Sequence, residues 1–295
     1  MLRLFNRKKY RLVIGAIFRN EVEYILEWIA WHQSQGVEKF IIFDNYSDDG
    51  TFELLEKLKK KDIIDLYRIE RGDKVQLEAY KKILMLCDSG IDYIGFIDAD
   101  EFIMPQDNKK LIDHLDIAFK DDNVGALAIN WRIYGTSGNT YQTDDFVINR
   151  FVKCATDDHL RNHYIKSIYR PNAVDKIFPH RATLKKGFKY ITTTGEFASF
   201  ATSNCSLVKV DGMQTTGMTF NVCSKLLRVN HYAIKSDEEF LNKKKYRGDV
   251  MSGAEHIKSD GYFREFNCND IEVPIDKDHY NNFLNSYRLL FDEII

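Results

Sequence analysis

The chain has 295 residues, enough for one large domain, and its 44% hydrophobic and 13% aromatic content is that of a globular protein rather than a disordered one. With 42 basic and 44 acidic side chains the formal charge is only −2, which leaves no electrostatic case for nucleic acid as a partner. The five cysteines (Cys87, Cys154, Cys205, Cys223, Cys268) are odd in number, widely spaced and without a C-x-x-C pair, which argues for reduced thiols in a cytoplasmic protein and against a zinc site or disulfide framework.

The first eleven residues are basic, with no apolar core long enough for a signal peptide. Arg3, Arg7, Lys8, Lys9 and Arg11 suit a peripheral contact with the anionic inner face of a membrane, the plainer reading being a solvated lead-in. No stretch approaches the roughly 18 apolar residues of a membrane span. From there strand and helix alternate. Leu12 to Phe18 reads as a strand, and Asn20 with Glu23 as a capping box opening a helix that carries Val22, Ile25, Leu26, Trp28 and Ile29 and stops at Gly36. Phe40 to Phe43 is the next strand, closed by the polar turn Asp44 to Gly50. Phe52, Leu54, Leu55 and Leu58 form a helix face, Ile63 to Ile69 a third strand, Val75 to Cys87 a third helix and Tyr93 to Ile97 a fourth strand. A helix over Lys110 to Phe119 and a strand over Val124 to Asn130 complete an α/β pattern, which predicts right-handed crossovers and a mostly parallel central sheet with helices on both faces.

Periodicity weakens after Trp131. Gly135 to Gly138 and Thr192 to Gly195 read as loops, Phe146 to Val152 and Leu226 to Val229 as short strands, and the last part as less regular α+β. Ser236 caps a helix over Asp237 to Tyr246 with Glu239 at the box position, and an aromatic helix runs from about Asp278 to Phe291. The expected organisation is one half at 1–130, a second half of the same domain at 131–248, and a helical extension at 249–295.

Chemistry concentrates at strand ends. Asp98-Ala99-Asp100-Glu101 follows the fourth strand. Two carboxylates two residues apart on extended backbone lie roughly 6–7 Å apart at Cα, and at an effective dielectric of about 20 their repulsion is of order 2 kcal/mol. A divalent cation such as Mg²⁺ or Mn²⁺ removes that repulsion. In a parallel sheet Arg19-Asn20, Asp44-Asn45 and the acidic triplet share one edge, where Asp44 is placed to read a ribose or base and the D-x-D to hold a metal on a diphosphate. Arg71 and Lys74 add positive charge to the same crevice. Neither G-x-G-x-x-G nor a P-loop occurs.

Several of these blocks are similar to a known group. Arg19-Asn20-Glu21, Leu26 to His32, Asp44-Asn45-x-Ser47-x-Asp49-Gly50-Thr51, Phe96 to Phe102, Trp131-x-x-Tyr134-Gly135-x-Ser137-Gly138, Lys166-Ser167-Ile168-x-Arg170-Pro171, Pro179-His180 and Asn230-His231-Tyr232-x-x-Lys235-Ser236, with Arg247-Gly248 beyond, run in order over most of the chain. They resemble GT-A-fold glycosyltransferases related to families 2 and 92. The resemblance implies transfer of a sugar, with inversion, from a nucleotide diphosphate donor, a UDP-sugar being favoured, to a glycan or glycolipid acceptor with Mn²⁺ or Mg²⁺, in surface polysaccharide or lipopolysaccharide synthesis, with 1–130 as the nucleotide-sugar-binding half and 131–248 as the acceptor-binding half. It also implies that Asp100 binds the metal, that Asp98 reaches the ribose or a metal-bound water, and that His231 is a late metal or diphosphate ligand. Arg19, Asn20, Asp44, Asn45, Arg71, Asp98 and Lys235 make up the donor-binding set.

On the acceptor side, Trp131 beside a glycine-rich loop suits stacking on a sugar or core packing, with Gly138 and His180 as further substrate contacts. An inverting transfer needs a carboxylate base, for which Asp145, Asp144, Glu101 and lastly Glu196 are candidates. Trp28 and Trp31 read as core, and Lys243, Lys244, Lys245 and Arg247 as a solvated helix face, the alternative being contact with phosphate or membrane. Two other functions fit parts of the pattern: a non-catalytic nucleotide-sugar or carbohydrate binder, and a D-x-D phosphatase, against which stand the fourth-strand position of the motif and the Glu-Phe that follows it.

Overall fold

The computed structural model describes residues 9–70, 72–87, 90–202, 215–246 and 257–295. The chain opens as β1 (Tyr10–Phe18), α1 (Ile25–Ser34), β2 (Lys39–Asp44), α2 (Thr51–Lys60), β3 (Ile64–Arg68), α3 (Val75–Leu86) and β4 (Ile91–Phe96). These four strands run parallel in the order 3-2-1-4. Their alternation sorts side chains onto two faces. Leu12, Ile14, Ala16 and Phe18 of β1 pack with Trp28, Leu55 and Leu58 of α1 and α2, while Val13, Ile41 and Phe43 pack with Ala79, Tyr80 and Ile83 of α3. The α/β class and the helices on both faces are therefore as expected.

The start of α1 differs from the expected box. Asn20 takes a left-handed φ of 56°, and its side chain exchanges hydrogen bonds with Asp48 instead of capping. Glu23 accepts from Gln142, so the helix begins at Ile25 without a side-chain cap. At the other end Gly36 has φ 96°, and a Cβ there would lie 2.7 Å from Ile112 Cγ2. Glycine answers both demands.

Beyond β4 the chain turns directly into β5 (Glu101–Pro105), a strand absent from the expected elements. Then come α4 (Leu111–Ala118), β6 (Val124–Ile133), α5 (Val147–Arg150), β7 (Lys153–Cys154), β8 (Ile165–Tyr169), β9 (Val174–Ile177), β10 (Ala182–Leu184), β11 (Lys189–Thr192), β12 (Phe200–Thr202), β13 (Thr215–Thr219) and β14 (Leu227–His231). The expected strand over Phe146 to Val152 is instead the short α5, whose first two N–H groups are taken by the buried Glu27 carboxylate of α1. The main sheet continues β4-β8-β6-β14-β5, with β11 on β6. β8 enters antiparallel between β4 and β6, and β14 is parallel to β6 but antiparallel to β5.

The last elements are α6 (Asp237–Glu239), a π-helical continuation over Phe240–Lys244, α7 (Asp260–Phe266), β15 (Ile271–Glu272), which pairs with β7, and α8 (Lys277–Ile294). Ser236 caps α6 and Glu239 completes the reciprocal box, as expected. α8 lies on α1, with Phe283 and Trp31 ring centroids 6.1 Å apart.

Candidate active site

The order 3-2-1-4 puts the topological switch point between β1 and β4, and ligands of open α/β sheets bind outside the carboxyl ends of strands at such a point. The loops after β1, β2 and β4 meet there. Asn20 N–H donates to Ser47 Oγ (3.0 Å), and Ser47 N–H donates to Asp44 Oδ1 (3.2 Å), which ties the first two loops together. Asp44 is fully buried, and its Oδ2 accepts from Arg68 Nε at 3.2 Å. Arg68 in turn lies over the rings of Phe52 (3.5 Å) and Tyr46 (4.9 Å). Asn45 donates its side-chain amide to Ile69 O (3.0 Å), so it braces the end of β3. Arg71 lies outside the described residues, as do Arg247 and Gly248. Lys74 sits at the left-handed N-cap of α3.

The D-x-D turn is built from below. Trp28 Nε1–H donates to both Asp98 O and Glu101 O at 3.0 Å. Asp98 N–H donates to Glu101 Oε2 (2.9 Å), closing the turn on itself. Both oxygens of Asp98 have protein donors: Gln76 Nε2 (2.6 Å) and Tyr80 OH (2.8 Å) on Oδ1, Lys166 Nζ (2.8 Å) on Oδ2. Lys166 projects from β8, its side chain 1% exposed, and lies 3.2 Å from Glu101 Oε2 as well. Burial pushes the Asp98 carboxyl up, but the Lys166 ammonium outweighs it and holds the group below the usual carboxylate range. Burial also pushes Glu101 up, to about 7, Lys166 opposing. Lys166 keeps its proton against burial because two carboxylates face it.

Asp100 has different company. The register of β14 against β5 sets His231 opposite Glu101, and His231 Nε2 lies 3.6 Å from Asp100 Oδ1. Asp100 Oδ2 accepts from Lys244 Nζ. Burial raises the Asp100 pKa, yet Lys244 and His231 outweigh it and hold this carboxyl well below the ordinary value. Lys235, in a left-handed conformation (φ 57°), sets its ammonium 4.1 Å from the centre of the Tyr24 ring. The base of this segment is locked: Glu239 accepts from Tyr24 OH (2.6 Å) and receives both arms of Arg150 (2.9 and 3.0 Å).

Trp131 is 6% exposed and packs against His231 (4.2 Å between centroids), Tyr164 (5.1 Å) and His180 (5.2 Å). Burial lowers the His180 pKa to about 3, leaving a neutral ring. The side-chain nitrogens Trp131 Nε1, His180 Nδ1 and His231 Nδ1 and the oxygen Glu101 Oε1 are enclosed without a hydrogen-bond partner among the described residues. Gly138 has φ 85° with open space at its Cβ position. Its loop is pinned by Asn267 and Asn269, which accept from Thr136 N–H and Ser137 N–H. Asp145 Oδ1 accepts from Phe146 N–H and Asn149 Nδ2 and so serves the start of α5. Asp144 is exposed. Among the described residues no hydrogen bond or ion pair joins either aspartate to the D-x-D. Their loop nonetheless reaches the rim, because Gln142 donates to Glu23, which also pairs with Lys243.

The structure thus gathers Asp98, Asp100, Glu101, His231 and Lys235. It adds Lys166, Gln76 and Tyr80, to which sequence reasoning gave no role. It corrects Lys244 from a solvated face to a partner of Asp100. A lysine inside the buried run Ile165 to Tyr169 was the one local signal that pointed to Lys166.

No group of three or more His, Cys, Asp or Glu among the described residues is arranged to hold a metal by itself. Asp98 accepts three hydrogen bonds across its two oxygens, so it is engaged by protein donors on both. Asp100 with His231 fits direct coordination, given that Mg²⁺ and similar cations take one or two protein ligands plus substrate phosphates and water. No helix among the described residues is long and apolar enough to cross a membrane.

A family model for glycosyltransferase family 92 matches residues 14–201. A family 92 protein of Oryza sativa subsp. japonica is 28% identical over 196 residues, which are 63% of this chain and 32% of the relative. One from Arabidopsis thaliana is 26% identical over 198 residues, 62% and 33% of the two chains. The chain therefore spans about a third of the length of the curated relatives it matches. Among solved structures, S. aureus TarS in complex with UDP-GlcNAc aligns with 55% of this chain and 46% of its own, at TM-score 0.38 and 16% identity. HddC from Yersinia pseudotuberculosis aligns with 62% and 90%, at TM-score 0.36 and 12% identity.

Proposed function

The chain belongs to glycosyltransferase family 92, and on that premise we propose that it transfers a sugar from a nucleotide diphosphate donor to a hydroxyl of a glycan or glycolipid acceptor. The observation that carries the proposal is the position of Asp98-Ala99-Asp100-Glu101 at the switch point, with Lys166, Lys235 and Lys244 around it. The three ammonium groups match the three carboxylates of the turn, and Lys244, with 21% of its side chain exposed, is the cation placed to meet a ligand that is itself anionic, as a diphosphate is.

Asp100 and His231 are the residues that would hold Mn²⁺ or Mg²⁺. When bound, such a cation stabilises the charge that develops on the departing diphosphate. Asp98 is held by Lys166, Gln76 and Tyr80 as a brace, and any donor contact it makes is shared with those partners. The nucleoside lies against the joined loops of β1 and β2, where Asn20, Asp44 and Arg68 form the wall. Glu101 is fully enclosed and braces the turn. Deprotonation of the acceptor hydroxyl is therefore assigned to the exposed Asp144 at the rim, in keeping with inversion.

The test is thermal shift and calorimetry of the purified chain with UDP, GDP, CMP and their sugar conjugates, in Mn²⁺ and again in EDTA. A ligand at 100 times its Kd adds about 2.7 kcal/mol. One nucleotide class stabilising the protein in Mn²⁺, with Asp100→Ala losing the effect while folding normally, supports the assignment. A folded protein that responds to none of them refutes it. Release of nucleotide only when a glycan acceptor is present separates transfer from simple binding.

A further inference from the structure

The two lysines that neutralise the acidic turn are held in different ways. Lys166 rises from the middle of β8, is almost wholly enclosed, and bridges Asp98 and Glu101. Lys244 reaches Asp100 from the far end of the π-helical segment Phe240–Lys244, with 21% of its side chain exposed. That segment is anchored at its front by the Ser236–Glu239 box, the Glu239–Arg150 pair and Phe240, whose ring lies 4.9 Å from that of Phe263, and on either side of Lys244 by the Lys243–Glu23 and Lys245–Asp260 pairs. A long flexible stem with a compact charge extends from a fixed base.

We propose that Lys244 is a tethered counter-ion of Asp100, which yields the carboxylate when a divalent cation arrives with the donor and then pairs with the donor's diphosphate. Asp100 presents two oxygens: Oδ1 faces His231, and Oδ2 belongs to Lys244. A bare divalent cation has to share this carboxylate with an ammonium, and the two like charges oppose each other. A diphosphate brings at least two negative charges, enough for both cations to remain in the site. The consequence is reciprocal coupling: metal and donor each raise the affinity of the other, and Lys244 is the group through which they do so. Ground-state exclusion of the bare metal and capture of the leaving diphosphate then reside in one side chain. This rests on Asp100 as a metal ligand, as proposed above.

The experiment measures Mn²⁺ affinity by electron paramagnetic resonance of the free ion, without nucleotide and with saturating UDP or, in parallel, GDP, for the wild-type chain, Lys244→Gln, Lys244→Arg and Lys243→Gln. A part-exposed ion pair worth about 1 kcal/mol sets the scale. Lys244→Gln is expected to bind bare Mn²⁺ about fivefold more tightly and the nucleotide in Mn²⁺ about fivefold more weakly, so the coupling between them shrinks. Lys244→Arg keeps the charge and should stay within a few-fold of wild type. Lys243→Gln, whose native partner is Glu23, should leave Mn²⁺ affinity unchanged. A Lys244→Gln protein that folds, binds bare Mn²⁺ as the wild type does and retains full coupling overturns the proposal while leaving the metal site in place. Absence of Mn²⁺ binding by every variant, with nucleotide present, removes the metal site and this inference together.

Discussion

Replacing Lys166 by Met tests whether the acidic turn depends on an internal cation. The side chain is 1% exposed and its ammonium lies 2.8 Å from Asp98 and 3.2 Å from Glu101. At an effective dielectric of about 20, each contact is worth roughly 5 to 6 kcal/mol of gross attraction, most of it spent on dehydrating the ions. Removing one partner of such a buried arrangement costs about 3–5 kcal/mol, because the remaining charge has lost its compensation. Two features favour the lower end. Asp98 keeps Gln76 and Tyr80 as donors, and its side chain is 32% exposed. Glu101, in contrast, is fully enclosed and bears the larger part of the loss. At about 2 °C per kcal/mol for a chain of this size, the midpoint of thermal unfolding should fall by about 6 °C. Adding Glu101→Gln to Lys166→Met removes the stranded carboxylate and should recover part of the loss, although Glu101→Gln alone, which takes a carboxylate from Lys166, should destabilise. Calorimetry of the four proteins gives the coupling directly. Additive single effects, or a Lys166→Met protein as stable as wild type, would refute the brace.

Glu27 gives a pH signature far from the D-x-D. Burial raises its carboxyl to about 7 from 4.5, against the opposing hydrogen bonds from Val147 and Ile148 N–H. A folded-state pKa above the unfolded one means that this group's contribution is fully present below about 4.5 and is lost as pH rises through 7. Between pH 5 and pH 8, urea unfolding should therefore show Glu27→Gln gaining on wild type by a few kcal/mol, and an unchanged gap would contradict the shift. Arg68→Ala removes the guanidinium from Asp44, Phe52 and Tyr46. It should weaken nucleotide binding about tenfold by calorimetry while costing no more than about 1 kcal/mol of stability, since the pair is partly exposed. Asp144→Asn should lower kcat by about 10²-fold or more with nucleotide affinity intact, whereas Asp145→Asn, which touches the start of α5, should read out as at most about 1 kcal/mol of stability. Equal kinetic effects of the two would remove the assignment to Asp144.

The first half of the molecule was readable because its order is local. Apolar runs such as Phe40 to Phe43 and Tyr93 to Ile97 are bounded by turn residues, so the strands and helices up to α3 lie within a few residues of their expected limits. Ser236 and Glu239 were legible for the same reason, as both halves of the box lie within four residues. The same spacing misled at Asn20 and Glu23. Their partners, Asp48, Gln142 and Lys243, come from loops that only the tertiary fold brings near. β5 was hidden because it begins with Glu101, a charged residue whose place inside depends on Lys166, sixty-five positions on. α5 is one turn long, too short for periodicity, and takes its support from Glu27 across the sequence. Lys244 is the plainest case: lysine by type is a surface residue, and nothing within a few positions says that a carboxylate awaits it, while at Lys166 the apolar run around it marks burial but does not name the partner.

Those two lysines also change what the D-x-D itself signifies. Read locally, paired aspartates ask for a divalent cation to relieve their repulsion. In the folded chain that repulsion is already met by ammonium groups, Lys166 for Asp98 and Glu101, Lys244 for Asp100. The acidity of the triplet is therefore not an argument for a metal. What remains in favour of one is narrower: Asp100 and His231 converge at 3.6 Å, and His231 Nδ1 is enclosed without a hydrogen-bond partner among the described residues. The two aspartates accordingly divide their work. Asp98, with three protein donors across its two oxygens, sets the shape of the turn. Asp100, held by a lysine on a long stem, is the one whose partner can change when an anionic donor arrives. A site that must release its product needs the second kind of contact as much as the first, since a diphosphate bound only by fixed charges would leave slowly.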